Sequence, residues 1–127
     1  MMNWFQDAPI LIPIVPSVQG NVPDYQQLSI ECFSDEMKDK RAYERIDLQY
    51  LECIESAKKE LEALTHKRVP KKVFLNGYSA SGVFAQRFAL IHPEIVDKCC
   101  VGGAAGSIPI PEDNIGYPIG IVDFEKL

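Results

Sequence analysis

The sequence predicts an α/β fold in which a mostly parallel sheet is flanked by helices. Short, mainly apolar runs at residues 10–15, 72–75 and 98–101 predict strands, and a longer helical segment separates the last two. Because parallel strands need long crossover connections, this alternation of strand and helix favours helices on the faces of a parallel sheet. The 127 residues, 46% of them hydrophobic, are enough for one domain with a modest core.

The first half of the chain contributes one predicted strand and one long predicted helix. ILIPIV at residues 10–15 is β-branched and apolar on both faces, as a central strand is, although Pro13 lacks the N–H that a sheet neighbour would use. From about Arg41 to Leu64, apolar residues recur at three- and four-residue spacing. This spacing predicts an amphipathic helix of about six turns.

The second half repeats the pattern of strand and helix. After the strand that begins at residues 72–75, residues 80–91 predict a second helix, which Pro93 ends because the residue before a proline resists helical geometry. Residues 98–101 predict the last strand. Prolines and glycines beyond it predict an irregular tail over about residues 104–127.

Charge and hydropathy exclude several classes of partner. The net charge of −5 and the pI near 5.0 give no electrostatic reason to bind nucleic acid or an anionic membrane. No apolar stretch reaches the roughly 18 to 20 residues of a membrane span, and the first 30 residues lack the pattern of a secretory signal. The expectation is a cytoplasmic protein without nucleic-acid or membrane partners.

The cysteines and histidines do not form a recognisable metal or redox pattern. Four cysteines are too few and too irregular for a disulfide scaffold, and no CxxC, HxxxH or HxH motif is present. The cysteines are predicted to be small core residues, with a metal or redox role as the alternative: Cys32, Cys53, Cys99 and Cys100. No metal and no cofactor is predicted.

The segment VFLNGYSASGVF at residues 73–84 presents a serine at a predicted strand-to-helix turn. Reactive groups gather at the carboxyl ends of parallel strands, which is where Ser79 is expected. A nucleophile in such a tight turn adopts a strained backbone, so the residues two before and two after it must be small, as Gly77 and Ser81 are. The N–H of Ala80, at the positive end of the next helix, is placed to donate to an oxyanion.

These residues resemble the nucleophile elbow of the α/β-hydrolase superfamily, specifically its esterase-like serine hydrolases. The resemblance lies in GYSASG at 77–82, VFAQRFALIHPE at 83–94, the strand at 10–15 and the long helix before the elbow. It implies a nucleophilic Ser79 that forms an acyl-enzyme with an ester-type small molecule. It also implies an oxyanion hole made by the N–H of Ala80 and that of Ser17 or Val18. The usual GxSxG pattern is GxSxS here, with Ser81 in the second small position.

A serine nucleophile needs a base, which in this superfamily is a histidine that follows the serine and the acid. The chain has two histidines. The predicted helix places His92 about 18 Å from Ser79, and the predicted strand places His66 near that same far edge of the sheet. Neither is the expected base, and structural or solvated roles are predicted for both.

The acid is the remaining member of the expected triad. Asp123 follows the apolar run 119–122, as a triad carboxylate at a strand end does, with a surface connection as the alternative. Asp47 and Arg45, in the long predicted helix, are predicted to be surface or interhelical charges.

The sequence therefore predicts a single, partial or truncated hydrolase domain over residues 1–127, an incomplete α/β-hydrolase fold that is inactive or weakly active alone. The alternative is a non-catalytic α/β binding or assembly module that retains the elbow geometry. In that case exposed sheet edges would favour a homo-oligomer, because unpaired strand edges and apolar faces tend to be covered by partners.

Overall fold

The computed structural model describes residues 8–14, 28, 45–104, 114–117, 120–122 and 125. These residues contain two helices and two strands in alternating order: α1 (Ile46–Thr65), β1 (Val73–Tyr78), α2 (Ala80–Ile91) and β2 (Val96–Gly102). The two strands pair in parallel. The predicted mixed α/β character and parallel pairing are therefore confirmed for this part of the chain.

Helix α1 forms where apolar residues recur at helical spacing. Ile46 and Ile54 are buried, and Tyr50 between them is half-buried, so one stripe of the helix faces the core. The helix ends at Thr65 because His66 adopts the left-handed conformation, with φ of 55°, and its N–H bonds back to the carbonyl of Glu62 across 2.9 Å.

Strand β1 alternates between an inner and an outer face. Val73 and Leu75 pack against the core and Gly77 is buried, whereas Phe74 and Tyr78 are exposed. The register pairs Leu75 with Cys99 and Gly77 with Val101, so these β2 residues lie on the same face. Helix α2 covers this face, as the hydrogen bond from the Cys99 thiol to the Ala85 carbonyl indicates.

The core lies between the two helices and the inner face of β1. The ring of Tyr50 in α1 lies 4.5 Å from that of Phe84 in α2, centroid to centroid, and Phe84 stacks on Phe88 at 5.7 Å. Leu28, Ile46 and Ile54 complete the buried cluster. Packing of aromatic rings from both helices therefore holds α1 beside α2 over the sheet.

The predicted strand at residues 10–15 is wrong for residues 10–14. These residues belong to no strand, and Ile12 and Ile14 are 76% and 90% exposed. Apolar composition does not supply a hydrogen-bonding neighbour, and Pro13 removes one of the N–H donors that pairing would use. Val15 lies outside the described residues.

Two cysteines also depart from the sequence prediction. Cys99 and Cys100 were predicted to be core residues, but both are exposed in β2. Among the described residues β2 pairs only with β1, so it is an edge strand of the described sheet, and most of its residues are exposed. Cys53 is half-buried in α1, and Cys32 lies outside the described residues.

The predicted irregular tail is described only in part. Residues 114–117 and 120–122 contain turns and no helix or strand, with the N–H of Gly120 bonded to the carbonyl of Gly116 across 2.8 Å. None of the helices in the described part of the chain is long and apolar enough to cross a membrane.

Candidate nucleophile elbow

Ser79 is the single residue between the end of β1 and the start of α2. Its backbone has φ of 56° and ψ of −124°, a conformation that residues with a side chain rarely adopt. Holding a non-glycine residue in such a region costs about 1–3 kcal/mol, and observed strain of this kind clusters at functional sites. Ser79 is exposed and makes no side-chain hydrogen bond to the helix that it caps. Its hydroxyl is therefore presented to solvent at the carboxyl end of β1.

The two peptide groups that flank Ser79 are both held by hydrogen bonds. The N–H of Ser79 donates to the carbonyl of Gly102 in β2 across 2.9 Å. The carbonyl of Ser79 accepts from the N–H of Val83, one turn into α2, across 3.1 Å. Hydrogen bonds to β2 and to α2 thus hold the strained residue on both sides.

The absence of a side chain at Gly77 is a steric requirement of this turn. A Cβ on Gly77 would lie 2.3 Å from the carbonyl oxygen of Ser81 and 2.9 Å from Cα of Gly82. Both contacts are to backbone atoms, which cannot move aside without opening the turn. The small residue that the sequence predicts two positions before the serine is thus needed for β1 and α2 to meet.

Ala80 is the first residue of α2. The N–H groups in the first turn of an α-helix have no acceptor within the helix, and the helix dipole adds positive potential there. Because the carbonyl of Ser79 is bound by Val83, the N–H of Ala80 on the other side of that peptide group points away from the helix body. This N–H can donate to an anionic oxygen beside Ser79.

His92 lies near the start of β1, whereas Ser79 follows its end. The carbonyl of His92 accepts from the N–H of Ile95, and the carbonyl of Ile95 accepts from the N–H of Val73, the first residue of β1. At about 3.3 Å per residue, β1 separates this end from Ser79 by roughly 20 Å. The structure agrees with the exclusion of His92 as a base for Ser79.

His66 caps the C-terminus of α1 on the side from which the chain enters β1, and it is exposed. Residues 67–72 connect it to the first residue of β1. His92 therefore does not reach the candidate nucleophile, and the exclusion of His66 stays a prediction from the sequence.

Comparison of the chain with known protein families, with curated proteins and with solved structures finds no match. The candidate site thus stands on its own geometry.

Asp47 is the centre of an ionic cluster whose burial the sequence did not predict. This carboxylate has no exposed surface, and Arg45 donates to both of its oxygens, Nε to Oδ1 across 3.0 Å and Nη2 to Oδ2 across 2.8 Å. Nε2 of His92 donates to Oδ2 across 2.9 Å, and Nδ1 of His92 lies 3.5 Å from Oε1 of Glu94. The cluster ties the start of α1 to the end of α2.

The pKa of Asp47 is lowered by this environment. Burial acts to raise the pKa, but hydrogen bonds and positive charge from Arg45 and His92 outweigh burial and favour the ionised carboxylate. Of the two predicted roles for Asp47, the interhelical one is correct and the surface one is wrong. A signal was present in the sequence, because Asp47 shares a helical stripe with Tyr50 and Ile54, both directed to the core.

Three predicted site residues cannot be placed. Ser17 and Val18, the candidate second oxyanion donors, and Asp123, the candidate acid, lie outside the described residues. Among the residues that the structure describes, no group of three or more histidine, cysteine, aspartate or glutamate side chains is arranged to hold a metal ion.

Proposed function

We propose that Ser79 is the nucleophile of an esterase-like serine hydrolase that acts through an acyl-enzyme on an ester-type small molecule. The observation that carries this proposal is the strained backbone of Ser79, with positive φ, between β1 and α2, which presents an exposed hydroxyl at a strand end. A connecting turn has no need of this strain, since glycine would adopt the same conformation at lower cost.

The proposed reaction begins when Oγ of Ser79 attacks the carbonyl carbon of the ester and a base removes the hydroxyl proton. The carbonyl oxygen becomes an anion that accepts from the N–H of Ala80 and from a second N–H, for which Ser17 and Val18 are the candidates. Collapse of this intermediate expels the alcohol, which takes the proton from the base. Water then attacks the acyl-enzyme in the same way and releases the acid.

The base in this proposal comes from a second polypeptide segment, because His92 lies at the far end of β1 and the sequence does not favour His66 as the base. Asp123 remains the candidate carboxylate that would orient such a base. The chain alone is therefore expected to react slowly, at a rate set by the elbow and its oxyanion donor without general-base assistance.

Treatment with a fluorophosphonate probe, with and without added imidazole as an external base, tests the proposal. Oγ of Ser79 should displace fluoride from phosphorus slowly, and imidazole, which accepts the proton, should accelerate the reaction. Mass spectrometry of peptides should find the adduct on Ser79 at least about tenfold more often than on Ser56, an exposed serine of α1, because one oxyanion donor is typically worth about 10²-fold.

Replacement Ser79→Ala should abolish the adduct at this position and leave the small amount on Ser56 unchanged. Equal labelling of Ser79 and Ser56 at every imidazole concentration would contradict the proposal. Rapid labelling without imidazole would instead show that the chain supplies its own base.

The exposed outer face of the sheet favours a second candidate function, a non-catalytic module that assembles with another copy of the chain. Phe74 and Tyr78 lie on this face, and Tyr78 is 74% exposed. Large exposed apolar side chains on one sheet face are typical of association surfaces. Sedimentation should then detect a dimer that Phe74→Lys dissociates, with Lys98→Gln on the same face as the control, whereas a monomer at all concentrations would contradict this candidate.

A further inference from the structure

We infer that the hydroxyl of Ser81 is a positioning group that holds Ser79 in its strained conformation, an inference that rests on the proposed hydrolase function. Oγ of Ser81 accepts a hydrogen bond from the N–H of Tyr78 across 3.1 Å and donates one to the carbonyl of Tyr78 across 2.8 Å. We call this pair of bonds the Ser81 clasp. The requirement for a small residue after the nucleophile does not account for it, because glycine or alanine would satisfy that requirement without a hydroxyl.

The clasp acts on the edge of β1 that faces away from β2. The amides of alternate residues in a strand point to opposite sides, and those of Val73 and Ser79 point toward the β2 side, to Ile95 and Gly102. The N–H and carbonyl of Tyr78 therefore point to the other edge. A hydroxyl is both a donor and an acceptor, so the one side chain of Ser81 satisfies both groups.

The clasp also fixes the peptide group that precedes Ser79. The carbonyl of this group belongs to Tyr78 and is bound by Ser81, whereas its N–H belongs to Ser79 and is bound by the carbonyl of Gly102. With both ends held, this peptide plane resists the rotation that would relax φ of Ser79 from 56° to a negative value. The Ser81 hydroxyl thus supports the elbow through Tyr78 without being placed at the reacting atoms.

Three variants of the full chain test this inference: Ser81→Ala, which removes the hydroxyl, Ser81→Thr, which retains it, and Ser56→Ala, a matched control in α1. Two measurements are made on each variant. Amide hydrogen exchange followed by NMR reports on the Tyr78 N–H, with the Ser79 N–H as an internal reference. Fluorophosphonate labelling in imidazole reports the rate of reaction at Ser79.

Ser81→Ala should accelerate exchange at Tyr78 by about tenfold, the factor expected for the loss of one hydrogen bond, and should leave exchange at Ser79 nearly unchanged. Labelling of Ser79 should slow by a similar factor. Ser81→Thr should restore both values toward those of the unaltered chain, and Ser56→Ala should change neither.

The outcomes distinguish three claims: that the clasp forms, that it positions Ser79, and that Ser79 is the nucleophile of a hydrolase. Unchanged exchange at Tyr78 in Ser81→Ala would overturn the clasp. Faster exchange with undiminished labelling of Ser79 would overturn its positioning role. Faster exchange, in a protein whose Ser79 is never labelled, would support the clasp and overturn the proposed hydrolase function.

Discussion

The imidazole of His92 at the end of α2 donates a hydrogen bond to the fully buried carboxylate of Asp47 in the first turn of α1. Replacement Asp47→Asn should lower the free energy of unfolding by about 3 kcal/mol, because Arg45 loses its counter-charge and buried His92 loses the carboxylate that accepts its hydrogen bond. Urea denaturation at pH 7 measures this. Asp97→Asn, at an exposed position of β2, is the control and should change the value by less than about 0.5 kcal/mol. Equal effects of the two substitutions would contradict a structural role for the cluster.

Acid should weaken the protein through the same carboxylate. The pKa of Asp47 is lowered in the folded protein, where the bonds from Arg45 and His92 outweigh burial, whereas in the unfolded chain it is about 3.9. The stabilisation is therefore complete above the unfolded pKa and is lost as pH falls through the lowered folded pKa. Urea midpoints measured from pH 6 down to pH 2 should fall more steeply for the unaltered chain than for Asp47→Asn. Parallel profiles would show that Asp47 does not carry this dependence.

Ser79→Gly should stabilise the protein by about 1 kcal/mol, because glycine adopts positive φ without the strain of a side chain. The serine hydroxyl makes no capping hydrogen bond, so its removal costs nothing that would offset this gain. Ser79→Ala keeps a Cβ and should leave the stability nearly unchanged. Thermal unfolding followed by circular dichroism compares the two, and the prediction fails if the alanine variant gains as much as the glycine variant.

Gly77→Ala should be strongly destabilising. The added Cβ would lie 2.3 Å from the carbonyl oxygen of Ser81, so β1 and α2 must separate, at a cost of about 1–3 kcal/mol or more. Gly102→Ala is the matched control, because its Cβ would contact only the exposed ring of Tyr78, at 3.1 Å, and this ring can move. Urea denaturation should give a much lower free energy of unfolding for Gly77→Ala than for Gly102→Ala. Similar losses in both would mean that the turn tolerates a side chain.

Cys100 should be alkylated faster than Cys99, although both are exposed in β2. Burial and the neighbouring Cys100 thiol raise the pKa of Cys99, and its thiol donates to the Ala85 carbonyl across 3.5 Å, so less reactive thiolate forms. Iodoacetamide at pH 8 followed by peptide mapping should detect the difference in rates. In urea, which removes the contact with α2, the two rates should converge, and a difference that persists there would have another cause.

The helices and strands were predicted most accurately where a turn, a proline or a regular apolar spacing marks their ends. Helix α2 covers the predicted residues 80–91, since Pro93 marks one end and the turn at Ser79 marks the other. Strand β2 extends the predicted residues 98–101 at both ends, and α1 ends one residue beyond the predicted Leu64. Hydrophobic periodicity and backbone sterics act over a few residues, so a single sequence contains them.

The errors concern contacts between distant segments. Residues 10–14 are as apolar as a buried strand, yet strand pairing depends on a partner that the segment itself does not specify. The exposure of Cys99 and Cys100 likewise depends on which elements cover each face of β2, and the residues of the strand do not specify this. The Ser81 clasp is a local contact between residues three positions apart, but the size requirement that predicts a small residue at position 81 carries no information about its hydroxyl.

The local sequence was sufficient for the order β1, α2 and β2 and for a serine at the turn between β1 and α2, because steric and periodic preferences are short-range. Only the packing of α1 against α2 determined that Asp47 is buried beside His92, which lies 45 positions further along the chain. A charge is buried or exposed according to which elements fold over it, and that arrangement arises only when α1 and α2 pack together on the sheet.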